Sequence, residues 1–259
     1  GKLKEPEQKW WYYFIIVFLV KTPIPTLIFL FISIIFFRKI KKENVIGELF
    51  LIIPIIFLFV TFMLNRVSYD LRHILTIYPL IFVFISKVIN LKFKNQKLWN
   101  FSFIFLLLWY IASTISIYPH YTAYFNEFVL PENGYKVLSG SNIDAGHELI
   151  RLKDFMEKNK IDKINFSFHG GVSPRNYGIE YDSMPTTCFA PVNENYELFA
   201  ANCKKDFIED CSKRTGILAI SVTNLQNRFL KNTTCYDWLK NYEPIEKIGY
   251  SVFVYNITK

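Results

Sequence analysis

The sequence predicts a helical membrane bundle, with about four spans plus an interfacial helix, followed by an extracytoplasmic C-terminal α/β domain. Three observations carry that reading. Up to Tyr118 the chain is built of long apolar blocks separated by short basic loops. Beyond Tyr118 its composition is mixed, and all four cysteines fall there. Between them, Tyr118–Leu149 is dense in aromatics at its start and in polar and turn residues at its end. A chain leaving a bilayer for a water-soluble domain has that pattern. The expected division is therefore 1–118, transmembrane and helical, and 119–259, extracytoplasmic and α/β.

Composition fits a membrane protein: 51% hydrophobic and 18% aromatic over 259 residues. The net charge of +8 does not point to nucleic acid. Much of the excess comes from Arg38, Lys39, Lys41 and Lys42, and from Lys87, Lys92, Lys94 and Lys97. These lie between apolar blocks, where cytoplasmic loops concentrate Lys and Arg.

The first apolar block follows an aromatic cluster, Trp10–Tyr13, of the kind that marks a membrane boundary. Pro23 and Pro25 disfavour an uninterrupted helix. The expected elements are an interfacial helix over 10–20 and a first span over 23–37, with Lys21 at the outer surface. The alternative is one long, kinked, tilted span with Lys21 snorkelling. The second span is expected over Leu49–Leu64, then a polar turn over Asn65–His73. The third runs over Ile74–Ser86, and the fourth over Phe101–Ile117. Alternate counting puts both basic loops on one side, the cytoplasm by the positive-inside rule. The N-terminus, the 65–73 turn and everything after Tyr118 then lie outside, in a multi-pass protein of the cytoplasmic membrane.

In the C-terminal segment, Leu149, Leu152, Phe155 and Met156 share one face of a helix beginning near Ala145. Lys163–Phe168, Gly216–Val222 and Tyr250–Ile257 read as strands, and Tyr236–Asn241 as a short helix. A small sheet flanked by helices follows. Cys188, Cys203, Cys211 and Cys235 suggest two disulfides, with three pairings open. Asn165, Asn232 and Asn256 begin glycosylation sequons. His73, His120, His147 and His169 lack HxH or HExxH spacing, so no metal site is expected.

Three polar clusters face the outer membrane surface on this topology. The first is Lys21–Thr22–Pro23 and the second Leu71–Arg72–His73. The third is the exit stretch, with Tyr121, Tyr124, Asn126, Glu127, Asn142 and Asp144. An interfacial Arg can grip a lipid phosphate as a bidentate fork and Lys as a point charge. Simple anchoring explains either residue alone; together they point to phosphate. Asp144 stands where an N-cap would, ahead of the amphipathic helix, and a substrate contact is the other reading.

These same stretches carry a family resemblance. WWYYFIIVFLVKTPIPTL, LRHILTIYPL and YPHYTAYFNEFVLPENGYKVL resemble, in order, segments of polytopic glycosyltransferases of the dolichyl-phosphate-mannose–protein mannosyltransferase type (family thirty-nine and its bacterial relatives). SNIDAGHELIRLKDFM, SPRNYGIEY, AISVTNLQN and IGYSVFVYNI are similar to the segments that follow. The likeness runs over nearly the whole chain. Departures are Thr76 for a proline, Gly140 for an aspartate, and Ala145 and His147 for a tryptophan and a glutamine.

The resemblance implies a GT-C-like bundle. Its activity would move a sugar from a polyprenyl-phosphate-linked donor to a protein, lipid or glycan acceptor outside the membrane, with inversion. The donor lipid phosphate would meet Lys21, Arg72 and His73. Tyr124, Asn126, Glu127, Asn142 and Asp144 would serve the acceptor or the domain interface. No cofactor is implied beyond the lipid-linked donor, and the partners are membrane lipid, donor and acceptor. The family's general base lies in an external loop of a longer N-terminal half, and this chain starts at what looks like a late external loop. Asp70 and Glu127 are isolated, so no catalytic base is identified and the chain alone is expected to be inactive. The alternative is a non-catalytic, membrane-anchored binding or assembly module.

Overall fold

A computed structural model describes residues 12–39, 45–64, 70–144, 146–186, 210–227, 230 and 232–258. The chain divides into two compact units, Gly1–Leu130 and Pro131–Lys259. The exit residues 119–130 thus fold with the helices.

In the first unit, α1 (Tyr13–Lys21) and α2 (Ile24–Ile35) meet at a bend of 113°. Pro23 has no N–H to continue the ladder, so the helix breaks at Thr22–Pro23, and Pro25 falls in the first turn of α2, where a missing N–H is tolerated. At 12 residues, α2 is about 18 Å long, short of the roughly 30 Å hydrocarbon core. It qualifies as a span only together with α1. The α3 helix (Val45–Leu64) starts earlier than its apolar run and carries Pro54 inside it. Next comes 3-10 geometry over Leu71–Ile77, then α4 (Tyr78–Ser86) and a further 3-10 turn, Lys87–Asn90. Arg72 and His73, expected in a polar turn, belong to the first of these. Pro79 offers no N–H to Leu75, and Tyr78 N closes on the Leu75 carbonyl instead, which tightens the turn. The α5 helix (Gln96–Ser116) begins inside the basic loop, because the Asn95 side chain caps it by accepting from Leu98 N at 3.1 Å.

Phe14, Phe29, Ile74, Ile77, Ile81, Phe84 and Leu106 form the buried core of this unit. Phe50, Phe57 and Phe101 point outward, at 74%, 66% and 70% exposure. Large apolar side chains on the outside suit a lipid surround rather than water. Three helices are long and apolar enough to cross a membrane, or four if the bent pair counts as one. At one end of α3, the buried Glu48 pairs with Lys87.

The second unit is α/β. A short helix, α6 (Pro131–Val137), precedes α7 (Leu149–Lys158), which begins at Leu149 after a turn. Leu149, Leu152 and Met156 are buried and Phe155 half-buried, against a five-stranded sheet. Its strands are β1 (Ile164–Ser167), β2 (Tyr181–Ser183), β3 (Gly216–Ser221), β4 (Glu246–Ile248) and β5 (Val252–Ile257), in the order β2-β1-β3-β5-β4. The first three are parallel, and β5 runs antiparallel to both β3 and β4. With three residues each, β2 and β4 are too short to show an alternation in sequence. Tyr236–Asn241 is 3-10 over Asp237–Asn241. Cys211 and Cys235 form a disulfide; Cys188 and Cys203 lie outside the described residues.

Candidate functional site

The helix break strands backbone carbonyls. In a continuous helix, residues 23, 24 and 26 would donate to Leu19, Val20 and Thr22. Pro23 cannot, and Thr26 N turns to the Pro23 carbonyl. Asn126 supplies what is missing. Its Nδ2 donates to the carbonyls of Leu19 (2.6 Å) and Thr22 (2.8 Å), and its backbone N to Val20 (2.9 Å). Its Oδ1 accepts from Phe128 N, which holds the exit loop in shape. Asn126 is fully buried. It is a surrogate ladder for a proline-broken helix.

Lys21, expected at the outer surface, is instead 6% exposed. The break lets it fold back: Nζ donates to the Thr122 carbonyl at 2.9 Å and lies 3.9 Å from the centre of the Phe125 ring. Thr22 and Tyr78 share a hydroxyl–hydroxyl bond of 2.7 Å. Arg72 differs, with a side chain 69% exposed that pairs with Asp70 at 3.4 Å. Asp70 is also close enough to act on the charge of Lys21. His73 is half-buried, its ring against Phe62. The structure therefore pairs Arg72 with Asp70, and separately ties Lys21 to Thr122 and Asn126 to the end of α1. Glu127 takes the Trp109 indole and the Ser113 hydroxyl, while Tyr124 lies nearby with its phenol pKa raised by burial and then by the Glu127 charge.

Asn142 and Asp144 belong to the second unit. Asp144 Oδ1 accepts from Gly146 N (2.9 Å) and His147 N (2.8 Å), and Oδ2 from the Ser251 hydroxyl (3.0 Å). That is capping geometry for the turn that leads into α7. Asn142 is buried in the 3-10 turn Gly140–Asn142. Around them lies a polar cluster at the carboxyl ends of β1 and β3. Gly140 N donates to Thr223 Oγ1, and His169 N to Ser221 Oγ. Asn224 Nδ2 donates to Ser167 Oγ and Thr186 Oγ1. Strand order reverses between β1 and β3, the place where open α/β sheets bind ligands. Thr223, Asn224 and Ser251 were not among the residues singled out from the sequence, and His169 was weighed there only as a metal ligand. The first two lie in AISVTNLQN and Ser251 in IGYSVFVYNI, so similarity marked the stretches but nothing ranked the residues. Ser251 follows a turn with Gly249 and Tyr250 both at positive φ, and the Glu148 carboxylate fills the space that a Cβ at Gly249 would need.

Chemically, this part of the first unit offers the exposed guanidinium fork of Arg72, the buried ammonium of Lys21 and the clamped carboxylate of Glu127. The second offers hydroxyls and amides. Among the described residues no group of three or more His, Cys, Asp or Glu could hold a metal ion. No family model, no curated protein and no solved structure matches the chain.

Proposed function

We propose that the chain is part of a membrane glycosyltransferase that moves a sugar from a polyprenyl-phosphate-linked donor to an acceptor outside the membrane. On this reading the loops rich in Lys and Arg face the cytoplasm, and the α/β unit stands outside. Arg72 grips the donor phosphate with the edge of its guanidinium that Asp70 leaves open. Lys21 adds positive charge from behind, and the phosphate is stabilised as the glycosidic bond breaks.

One observation supports this most. Polar residues from three stretches that resemble the family meet in the first unit: Lys21 with Thr122, Thr22 with Tyr78, and Asn126 with Leu19 and Thr22. Up to 107 residues separate the partners. A site assembled from distant segments is what a shared function would hold together. The test is binding of a short-chain polyprenyl phosphate to the full chain in nanodiscs, read by native mass spectrometry against the uncharged polyprenol. The phosphate is expected to bind at least about tenfold more tightly, as for a charge-assisted, bidentate contact. Arg72→Gln should remove most of that preference. Equal binding of the two lipids would refute the reading.

A second reading, a non-catalytic anchored binding module, is favoured by the burial of Lys21 against Thr122 and Phe125. On it Lys21 and Arg72 are anchors, and no preference for the phosphate is expected.

A further inference from the structure

Two basic stretches far apart in sequence meet at one end of the helical unit. Residues 91–95 follow the 3-10 turn Lys87–Asn90 and lead into α5. Leu91 is buried and Phe93 half-buried, while Lys92 and Lys94 between and after them are exposed. Phe93 N donates to Gln96 Oε1 at 3.2 Å and Asn95 caps α5, which holds this loop in shape. Phe93 packs edge-on against Phe36, just past the end of α2, with ring centres 5.3 Å apart, and meets Trp99 at 4.7 Å. Lys39 Nζ lies 5.5 Å from the centre of the Phe36 ring. Arg38, Lys39, Lys92, Lys94 and Lys97, all exposed, thus border one aromatic seam.

Charge and connectivity select the partner. Among the described residues, no carboxylate pairs with any of these five cations, and α5 has no acidic residue in its first turn. Like charges gathered without a counter-ion repel one another, so an anion between them relieves a cost as well as gaining contacts. Leu71–Asn90 and Gln96–Ser116 are each long and apolar enough to cross a membrane. Residues 91–95 join the two, so the loop lies where both spans leave the hydrocarbon, at the level of lipid phosphates. Leu98 and Phe101, 60% and 70% exposed, follow Lys97 on α5 and offer acyl chains an apolar surface beside the charges. A zwitterionic headgroup brings a cation of its own; one with net negative charge is the complement.

We propose that the cations at the end of α2 and those of the loop before α5 together hold the headgroup phosphate of an anionic phospholipid. The inference rests on these helices crossing a membrane and not on the glycosyltransferase reading. Its test is lipid retention by the full chain. The protein is equilibrated with an equimolar mixture of phosphatidylglycerol and phosphatidylcholine of matched acyl chains, and the lipids that stay bound are quantified by native mass spectrometry. The five side chains are exposed and without carboxylate partners, so Gln in their place removes charge and leaves the fold intact. The ratio of glycerol to choline lipid is expected to fall about fivefold or more in Arg38→Gln/Lys39→Gln and again in Lys92→Gln/Lys94→Gln, the effect of at least one cation at an anionic surface. Lys158→Gln/Lys160→Gln, which removes two exposed charges from the second unit, should leave the ratio unchanged. Inorganic phosphate should displace no more lipid than chloride at equal ionic strength. An unchanged ratio in either of the first two variants would overturn the shared site, and an equal fall in the third would reduce it to net charge. Displacement by inorganic phosphate would assign the site to a free anion and overturn the proposal as well.

Discussion

Asn126 is the residue on which the end of α1 depends, and Asn126→Ala is the perturbation that isolates it. The side chain donates to Leu19 O at 2.6 Å and Thr22 O at 2.8 Å, in a buried setting. Removing it strands two carbonyls that no helical N–H can reach, since Pro23 has none and Thr26 N is committed to Pro23 O. Each stranded buried group costs about 1–3 kcal/mol. The backbone bond from Asn126 N to Val20 O survives the substitution, and water can enter the space vacated. A total near 3 kcal/mol follows, toward the low end of the range for two groups. Asn126→Asp should be at least as damaging, because a carboxylate would then face two carbonyl oxygens. Stability of the full chain can be followed by circular dichroism at 222 nm during titration from mild detergent into dodecyl sulfate. A loss below about 0.5 kcal/mol, the size of an ordinary surface substitution, would refute the view that Asn126 completes the broken helix.

Further tests address the α/β unit and the ion pair. Cys211 and Cys235 are 24 residues apart in sequence, and a crosslink closing a loop of that size contributes about 3 kcal/mol. The double Cys211→Ala/Cys235→Ala variant should lose about that much in chemical denaturation, with no further effect of reductant on this pair. Gly249→Ala would drive a methyl group into the Glu148 carboxylate at a positive φ, and a cost of about 2 kcal/mol or more is expected; a melting temperature unchanged from the parent would contradict it. The Tyr236 hydroxyl donates to the Pro185 carbonyl, and burial raises its phenol pKa. The folded value then lies above the unfolded one. Its contribution is fully present below about pH 10 and is lost as pH rises through the folded value. Tyr236→Phe should cost about 1 kcal/mol at neutral pH and flatten the alkaline decline in a pH series of denaturation curves. Lys87→Met leaves Glu48 buried without its cation, a loss of about 3 kcal/mol that the double variant with Glu48→Gln should largely restore.

How much of this was legible in the sequence follows from the range of the interactions involved. Apolar run length alone marked the helices around 49–64, 74–86 and 101–117, because a side chain in lipid needs no particular partner. Pro23 and Pro25 marked the break in the first block, since a missing N–H is a property of the residue itself. Likewise, Leu149, Leu152 and Met156 showed the buried face of α7 through spacing, whereas Asp144, expected at a helix start near Ala145, caps a turn and the helix begins only at Leu149. The three-residue strands β2 and β4 had no such local mark; they exist because longer neighbours offer an unpaired edge.

Only tertiary structure decided what the polar residues do. Lys21 reads from sequence as a surface cation, yet the bend at Pro23 turns it onto Thr122 and Phe125. Asn126 reads as one more polar residue of the exit stretch, and its meaning depends on carbonyls more than a hundred positions away. Asp144 finds Ser251 across 107 residues. A hydrogen bond is directional and short, so its partner is set by where the chain returns, which residue type and spacing do not encode. Burial of apolar surface has no such direction, and that is why the helices and the sheet core were readable from the sequence while the roles of Lys21, Asn126 and Glu127 waited for the fold.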